Sequence, residues 1–144
     1  MVVSADTSFL FSLFGNDAHS QRALDWLLAN PRPLSISGLT EFELANAFRF
    51  AEASQRLPVG QAAKYWAFYV ADRASGRVRV EVCNLADILV EANRLSSVHT
   101  LTSGHRSFDI LHVAAAKKLG AQQFLTFDAN QRLLAQAEGL PVPL

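Results

Sequence analysis

Apolar residues along this chain change their spacing from segment to segment, and the changes mark out short strands alternating with helices. Val2 to Ala5 reads as a strand that leads at once into a helical run from Thr7 to Phe14, ended by Gly15 and Asn16. From Ala18 to Ala29 the apolar positions Ala23, Leu24, Leu27 and Leu28 fall at helical spacing until Asn30 and Pro31 stop it. Leu34 to Ser37 is a second strand, and Gly38 turns the chain into a longer helix expected from about Glu41 to Gln55. Pro58 opens another helix, in which Tyr65, Trp66, Phe68 and Tyr69 cover most of the circumference before Gly76 ends it. Such a broad aromatic belt fits either a tightly enclosed helix pair or a homodimer surface.

Val78, Val80 and Val82 alternate with Arg79 and Glu81, a period of two that marks a third strand with one wetter face, expected at a sheet edge. Asp87 to Val98 reads as a helix with Ile88, Leu89, Ala92 and Leu95 as its stripe, and Thr100 to Arg106 as a polar loop. Phe108 to Leu119 is apolar nearly all round, so it should be a buried helix, stopped by Gly120. Gln123 to Phe127 is a fourth strand, Ala129 to Ala137 the last helix, and Leu140 to Val142 a candidate fifth strand. Alternating strands and helices imply an α/β fold on a mostly parallel sheet of four to five strands.

With 144 residues and no repeat, linker or low-complexity run, the chain fits a single domain, 1–144. Its formal net charge of zero supplies no long-range attraction to nucleic acid, so any such contact must be local. The single cysteine, Cys83, excludes an internal disulfide and a thiolate zinc cage, and suits a buried packing role. The N-terminal run lacks the basic flank of a signal peptide, and no apolar stretch reaches membrane-spanning length. The expectation is a soluble, cytoplasmic protein.

Against this ordinary background four acids stand out. Asp6, Glu43 and Asp128 each follow a predicted strand closely, and Asp109 opens the buried helix between the third and fourth strands. In a parallel sheet these positions share the rim at the carboxyl ends of the strands, where open α/β folds bind ligands. Converging carboxylates repel one another unless a cation joins them, so the arrangement makes sense as an oxygen-rich metal site. Each acid also has a structural reading. Asp6 can cap a helix, Thr40 with Glu43 and Asp128 with Gln131 have capping-box spacing, and Ser107 can cap a helix with Asp109 in its first turn.

Four segments in order, Val3-Ser-Ala-Asp6-Thr7-Ser8, Leu39-Thr40-Glu41-Phe42-Glu43-Leu44-Ala45-Asn46-Ala47, Arg106-Ser107-Phe108-Asp109-Ile110-Leu111-His112-Val113-Ala114 and Leu125-Thr126-Phe127-Asp128, resemble the PIN domain. The likeness is to the VapC ribonuclease toxins of toxin–antitoxin pairs in particular. It implies a three-layer α/β/α fold and an endoribonuclease dependent on Mg²⁺ or Mn²⁺, neutralised by an antitoxin protein and often homodimeric. It also picks Glu43 rather than Glu41, which would be solvent-facing or peripheral. Asp6 and Asp109 are then expected as direct ligands, with Glu43 and Asp128 binding directly or through water.

The sequence's own chemistry agrees with that implication, since there is no zinc-spaced His/Cys set, no Gly-x-Ser-x-Gly elbow and no Gly-rich phosphate loop. Thr7, Ser8, Asn46 and Thr126 lie near enough in sequence to support the carboxylates. Arg49, Arg56, Arg73, Arg77 and above all Arg106 could form a local basic rim for RNA, and His105 in the polar loop could touch substrate. His112, three residues past Asp109, is either a structural histidine or an outer partner of the site. Two other readings stay open: a housekeeping RNA-processing nuclease of the same fold, and a non-catalytic protein-binding module whose acids serve only as caps.

Overall fold

The computed structural model describes all 144 residues. Four parallel strands, β1 (Val3–Ala5), β2 (Leu34–Ser37), β3 (Val78–Glu81) and β4 (Gln123–Leu125), lie in the order β3-β2-β1-β4. Seven helices connect and cover them: α1 (Thr7–Phe14), α2 (Ser20–Ala29), α3 (Gly38–Ala53), α4 (Gln61–Ala74), α5 (Leu85–Ser103), α6 (Ser107–Lys118) and α7 (Ala129–Ala137). Every strand pair is parallel, because each return to the sheet runs through helices.

The pleat divides the core into two. Val3, Ala5, Leu34, Ile36 and Val78 point to one face, where Phe9, Leu10, Leu44, Phe48 and Tyr69 from α1, α3 and α4 cover them. Phe124 points to the other, among Ile88, Leu95, Val113, Ala114 and Leu134 of α5, α6 and α7. The result is the expected three-layer α/β/α arrangement, with β3 at one edge as its alternation implied. Small residues let the buried α6 approach its neighbours closely, Ala114 and Ala116 being fully enclosed.

Several boundaries differ from the sequence expectation, β4 ending at Leu125 rather than Phe127 and α2 beginning at Ser20 rather than Ala18. Helix α3 begins at Gly38 rather than near Glu41, because Ser37 and not Thr40 caps it, accepting from the Thr40 N–H. Helix α5 runs on to Ser103, so the polar loop shrinks to Gly104–Arg106, with Gly104 in the left-handed conformation closing the helix. There is no fifth strand. Pro141 gives its carbonyl to the Phe124 N–H at 2.9 Å, but Pro141 and Pro143 lack the N–H groups a ladder needs, and the tail is held by burial of Leu140 and Leu144.

Candidate active site

From β1 the chain crosses one face of the sheet towards β2, whereas β4 feeds α7 on the other face. The crevice between the carboxyl ends of β1 and β4 is therefore the switch point at which such sheets bind ligands. Asp6 leaves β1 there and Asp128 follows β4, and hydrogen bonds cross the gap. The Thr126 hydroxyl donates to Asp6 Oδ2, Ser8 Oγ donates to Asp6 Oδ1 at 2.7 Å, and the Phe127 N–H donates to Ser8 Oγ at 2.9 Å.

Asp6 caps α1, with Oδ1 accepting from the Phe9 N–H at 2.9 Å, and it is wholly buried. Burial pushes its carboxyl up to about 6, against the opposing pull of Thr126, Phe9, Ser8 and the His112 ring. It forms the packed floor of a cavity of about 590 Å³ rather than its lining. Glu43, Asp109 and Asp128 line that cavity, together with Thr7, Ser8 and Asn46.

Asp109 lies in the first turn of α6, whose N-terminus has no side-chain cap, so Ser107 does not play the role expected of it. Asp109 Oδ1 accepts from Gln131 Nε2 at 3.1 Å, while Oδ2 is buried with no hydrogen-bond partner; Arg106 Nε stands 3.8 Å from it. Asp128 caps α7 through the Gln131 N–H at 2.8 Å, and its own N–H is taken by Thr126 Oγ1. Gln131 thus completes only half of the capping box, and its side chain turns to Asp109 instead.

Glu43 is joined to the buried ring of His112, whose Nε2 is 3.2 Å from Oε1 and 3.3 Å from Thr7 Oγ1, with Nδ1 3.1 Å from Thr40 Oγ1. One imidazole therefore ties α1, α3 and α6 together behind the cavity. Burial pushes the Glu43 carboxyl up, but the hydrogen bonds and charges of His112, Thr7 and Arg106 outweigh it and hold the group below its usual range.

Of the supporting residues expected from the sequence, Ser8 and Thr126 brace Asp6 and Thr7 meets His112, while Asn46 only lines the cavity. His105 is buried and lies away from the cavity wall. Arg56 and Arg106 reach the cavity; Arg73 instead pairs with Glu41, and Arg77 with Asp72. Glu41 also accepts from Tyr69 at 2.6 Å, so it is half-buried and peripheral rather than solvent-facing. The structure adds Gln131, Thr40 and Asp17, and an aromatic margin of Phe11, Phe50, Phe108 and Phe127. The helical spacing of Phe50 after Glu43 signals one of these in the sequence, and Phe108 and Phe127 stand directly before Asp109 and Asp128.

A family profile described as PIN domain matches residues 3–137. The chain belongs to the PIN domain family. Among solved structures this PIN domain is similar to a sarcin-ricin loop cleaving toxin, VapC20 of Mycobacterium tuberculosis, at 24% identity and TM-score 0.69, over 96% of this chain and 95% of that one. It is also similar to VapBC2 of Rickettsia felis, solved bound to a DNA fragment from its promoter, at 14% identity and TM-score 0.66, over 99% and 97%. FitAcB of Neisseria gonorrhoeae follows at 17% and 0.61, over 98% and 96%. At these identities the likeness establishes a common fold. Among curated proteins no sequence matches the chain. No helix of this PIN domain is long and apolar enough to cross a membrane.

Proposed function

We propose that this protein is a Mg²⁺- or Mn²⁺-dependent endoribonuclease of the VapC kind, a toxin held in check by a cognate antitoxin. The observation that carries the reading is Asp109 Oδ2, a buried carboxylate oxygen with no hydrogen-bond partner, only Arg106 Nε 3.8 Å away, that shares a cavity with Glu43 and Asp128. A buried acceptor left unpaired is costly, and a cation or its water is the natural partner for an ionised one.

No three Asp, Glu, His or Cys side chains already stand close enough to enclose an ion. The four acids therefore do not converge as closely as the sequence implies, and the ion on this reading is one that needs only one or two carboxylates and keeps several waters. Asp109 is the first ligand on this reading, Glu43 and Asp128 bind directly or through water, and Asp6 anchors the floor. A divalent ion there supplies polarisation of the phosphoryl oxygens and a lower pKa for the attacking water. His112 orients Glu43, Gln131 orients Asp109, and Ser8 with Thr126 fixes Asp6. Arg106 and Arg56 offer the phosphate contacts.

Resemblance to VapBC2 and FitAcB supports a protein partner. The test is to map RNA ends in cells expressing the wild type and Asp6→Asn. New ends carrying 5′-phosphate, present only with the wild type, are expected; 2′,3′-cyclic phosphate ends or identical profiles would overturn the reading. A non-catalytic module is the second reading, favoured by the capping roles of Asp6 and Asp128. It requires that Mn²⁺ does not bind saturably and that Asp109→Ala only lowers stability, by about 1 kcal/mol.

A further inference from the structure

The cavity is not uniformly polar, and one of the four phenylalanines on its wall, Phe50, shares a helical stripe with Glu43. Asn46, Ala47 and Phe50 lie three, four and seven residues after Glu43 along α3, and all four line the cavity. Phe50 is 62% exposed, although the same helix buries Phe48 completely. Exposing a ring inside a concave site forgoes its burial energy, which makes sense where a ligand completes the packing.

The turn after α3 adds a cation to that ring. Gln55 has φ 64° and is the one non-glycine residue of the chain in the left-handed region. Its N–H donates to the Glu52 carbonyl at 3.0 Å and the Arg56 N–H to the Ala51 carbonyl at 2.8 Å, a closure that usually has glycine at this position. The turn folds Arg56 back along the helix, with its guanidinium carbon 5.8 Å from the Phe50 ring centre and Nε donating to Ser54 Oγ at 3.2 Å. An exposed aromatic face and a held guanidinium together match an unpaired nucleobase and its phosphate. The wall offers both polar and apolar surface, with 5 hydrophobic residues among 17, as a flat base joined to a charged phosphate requires.

We infer that Phe50 and Arg56 form a base-stacking subsite that receives one unpaired nucleotide of single-stranded RNA beside the acidic centre. This rests on the ribonuclease reading and deepens it. Ala47, between Glu43 and Phe50, leaves room for the sugar, and the exposed Asn46 amide lies beside the path from acid to ring. Duplex RNA, whose bases are already stacked, would gain nothing from the ring.

The test uses the full chain in EDTA, where binding is read without metal-assisted cleavage. Two probes are titrated by fluorescence anisotropy: a short unstructured oligoribonucleotide of mixed sequence and an abasic oligomer of the same length. Phe50→Ala should weaken the base-bearing probe about tenfold or more and leave the abasic one unchanged, while Phe50→Trp restores binding. Equal loss on both probes, or no loss on either, overturns the subsite. A change confined to sedimentation, with RNA binding intact, assigns Phe50 to a protein contact and also overturns it. A wild type that neither binds nor cuts RNA removes the ribonuclease reading itself, and this inference with it. A wild type that cuts RNA, with Phe50→Ala binding as tightly, removes the subsite alone.

Discussion

Asp6 is the residue at which stability and the proposed function oppose each other. Its folded-state pKa of about 6 exceeds the ordinary 3.8, so the native state holds the proton more tightly than the unfolded chain does. The contribution of Asp6 to stability is therefore fully present below about pH 4 and is lost as pH rises through about 6. Asp6→Asn should therefore raise metal-free stability at pH 7.5 by about 1–3 kcal/mol, with the gain vanishing near pH 4, as read by urea unfolding. A variant less stable at both pH values would contradict the account. Gly15 offers a purely steric contrast, because a Cβ there would stand 2.6 Å from the Phe11 carbonyl oxygen that its own N–H engages at 2.9 Å. Gly15→Ala should cost about 1–3 kcal/mol without altering Mn²⁺ binding, measured by thermal unfolding and calorimetric titration. At this scale the sequence revealed the four acids, because strand ends and helix starts are written locally. It did not reveal that Gln131 serves Asp109 or that Thr40 serves His112, since those contacts join residues far apart in the chain.

Elements were legible wherever local chemistry and tertiary contacts agreed. The strands β1 to β4 and the burial of α6, apolar nearly all round, were legible in the sequence. The start of α3 was not, because Gly38 reads as a breaker while the Ser37 cap and packing on the sheet hold it in a helix. The closing turn of α3 carries the opposite mismatch, a glutamine where glycine fits, and Gln55→Gly should stabilise the protein by about 1 kcal/mol. Urea unfolding checks this, and an unchanged or lower midpoint would show that the Gln55 side chain compensates for its backbone. Helices α5, α6 and α7 are tied by Glu138, which accepts from Arg94, His99 and Lys117. Burial pushes its carboxyl up, but those three donors outweigh it and hold the group at about 2. Its contribution is therefore present above about pH 4.5 and is lost as pH falls toward 2, the reverse of Asp6. Screening around the exposed Arg94 keeps the effect modest, so Glu138→Gln should cost about 1–2 kcal/mol at pH 7 and nothing near pH 2. Thermal unfolding across that range tests it.

For the molecule as a whole, strand alternation was enough to specify a parallel α/β sheet, but not the order β3-β2-β1-β4, because nothing local states which edge the last strand joins. That placement beside β1 is what brings Asp128 and Thr126 to Asp6, so the topology and not any single motif creates the site. The same global view constrains how RNA can be held. A net charge of zero gives no distant attraction, and the cavity holds more acids than bases, with Arg56 and Arg106 as its two arginines. Each phosphate neutralised on a single strand contributes a slope of about −0.7 to log affinity against log salt. Two arginine contacts thus predict a slope of about −1.4 for an unstructured oligoribonucleotide in EDTA, shallow for a nucleic-acid-binding protein. Arg56→Gln and Arg106→Gln should each reduce it by about half. A slope of about −3 or steeper would place further cations outside the cavity on the RNA and refute the local-contact account.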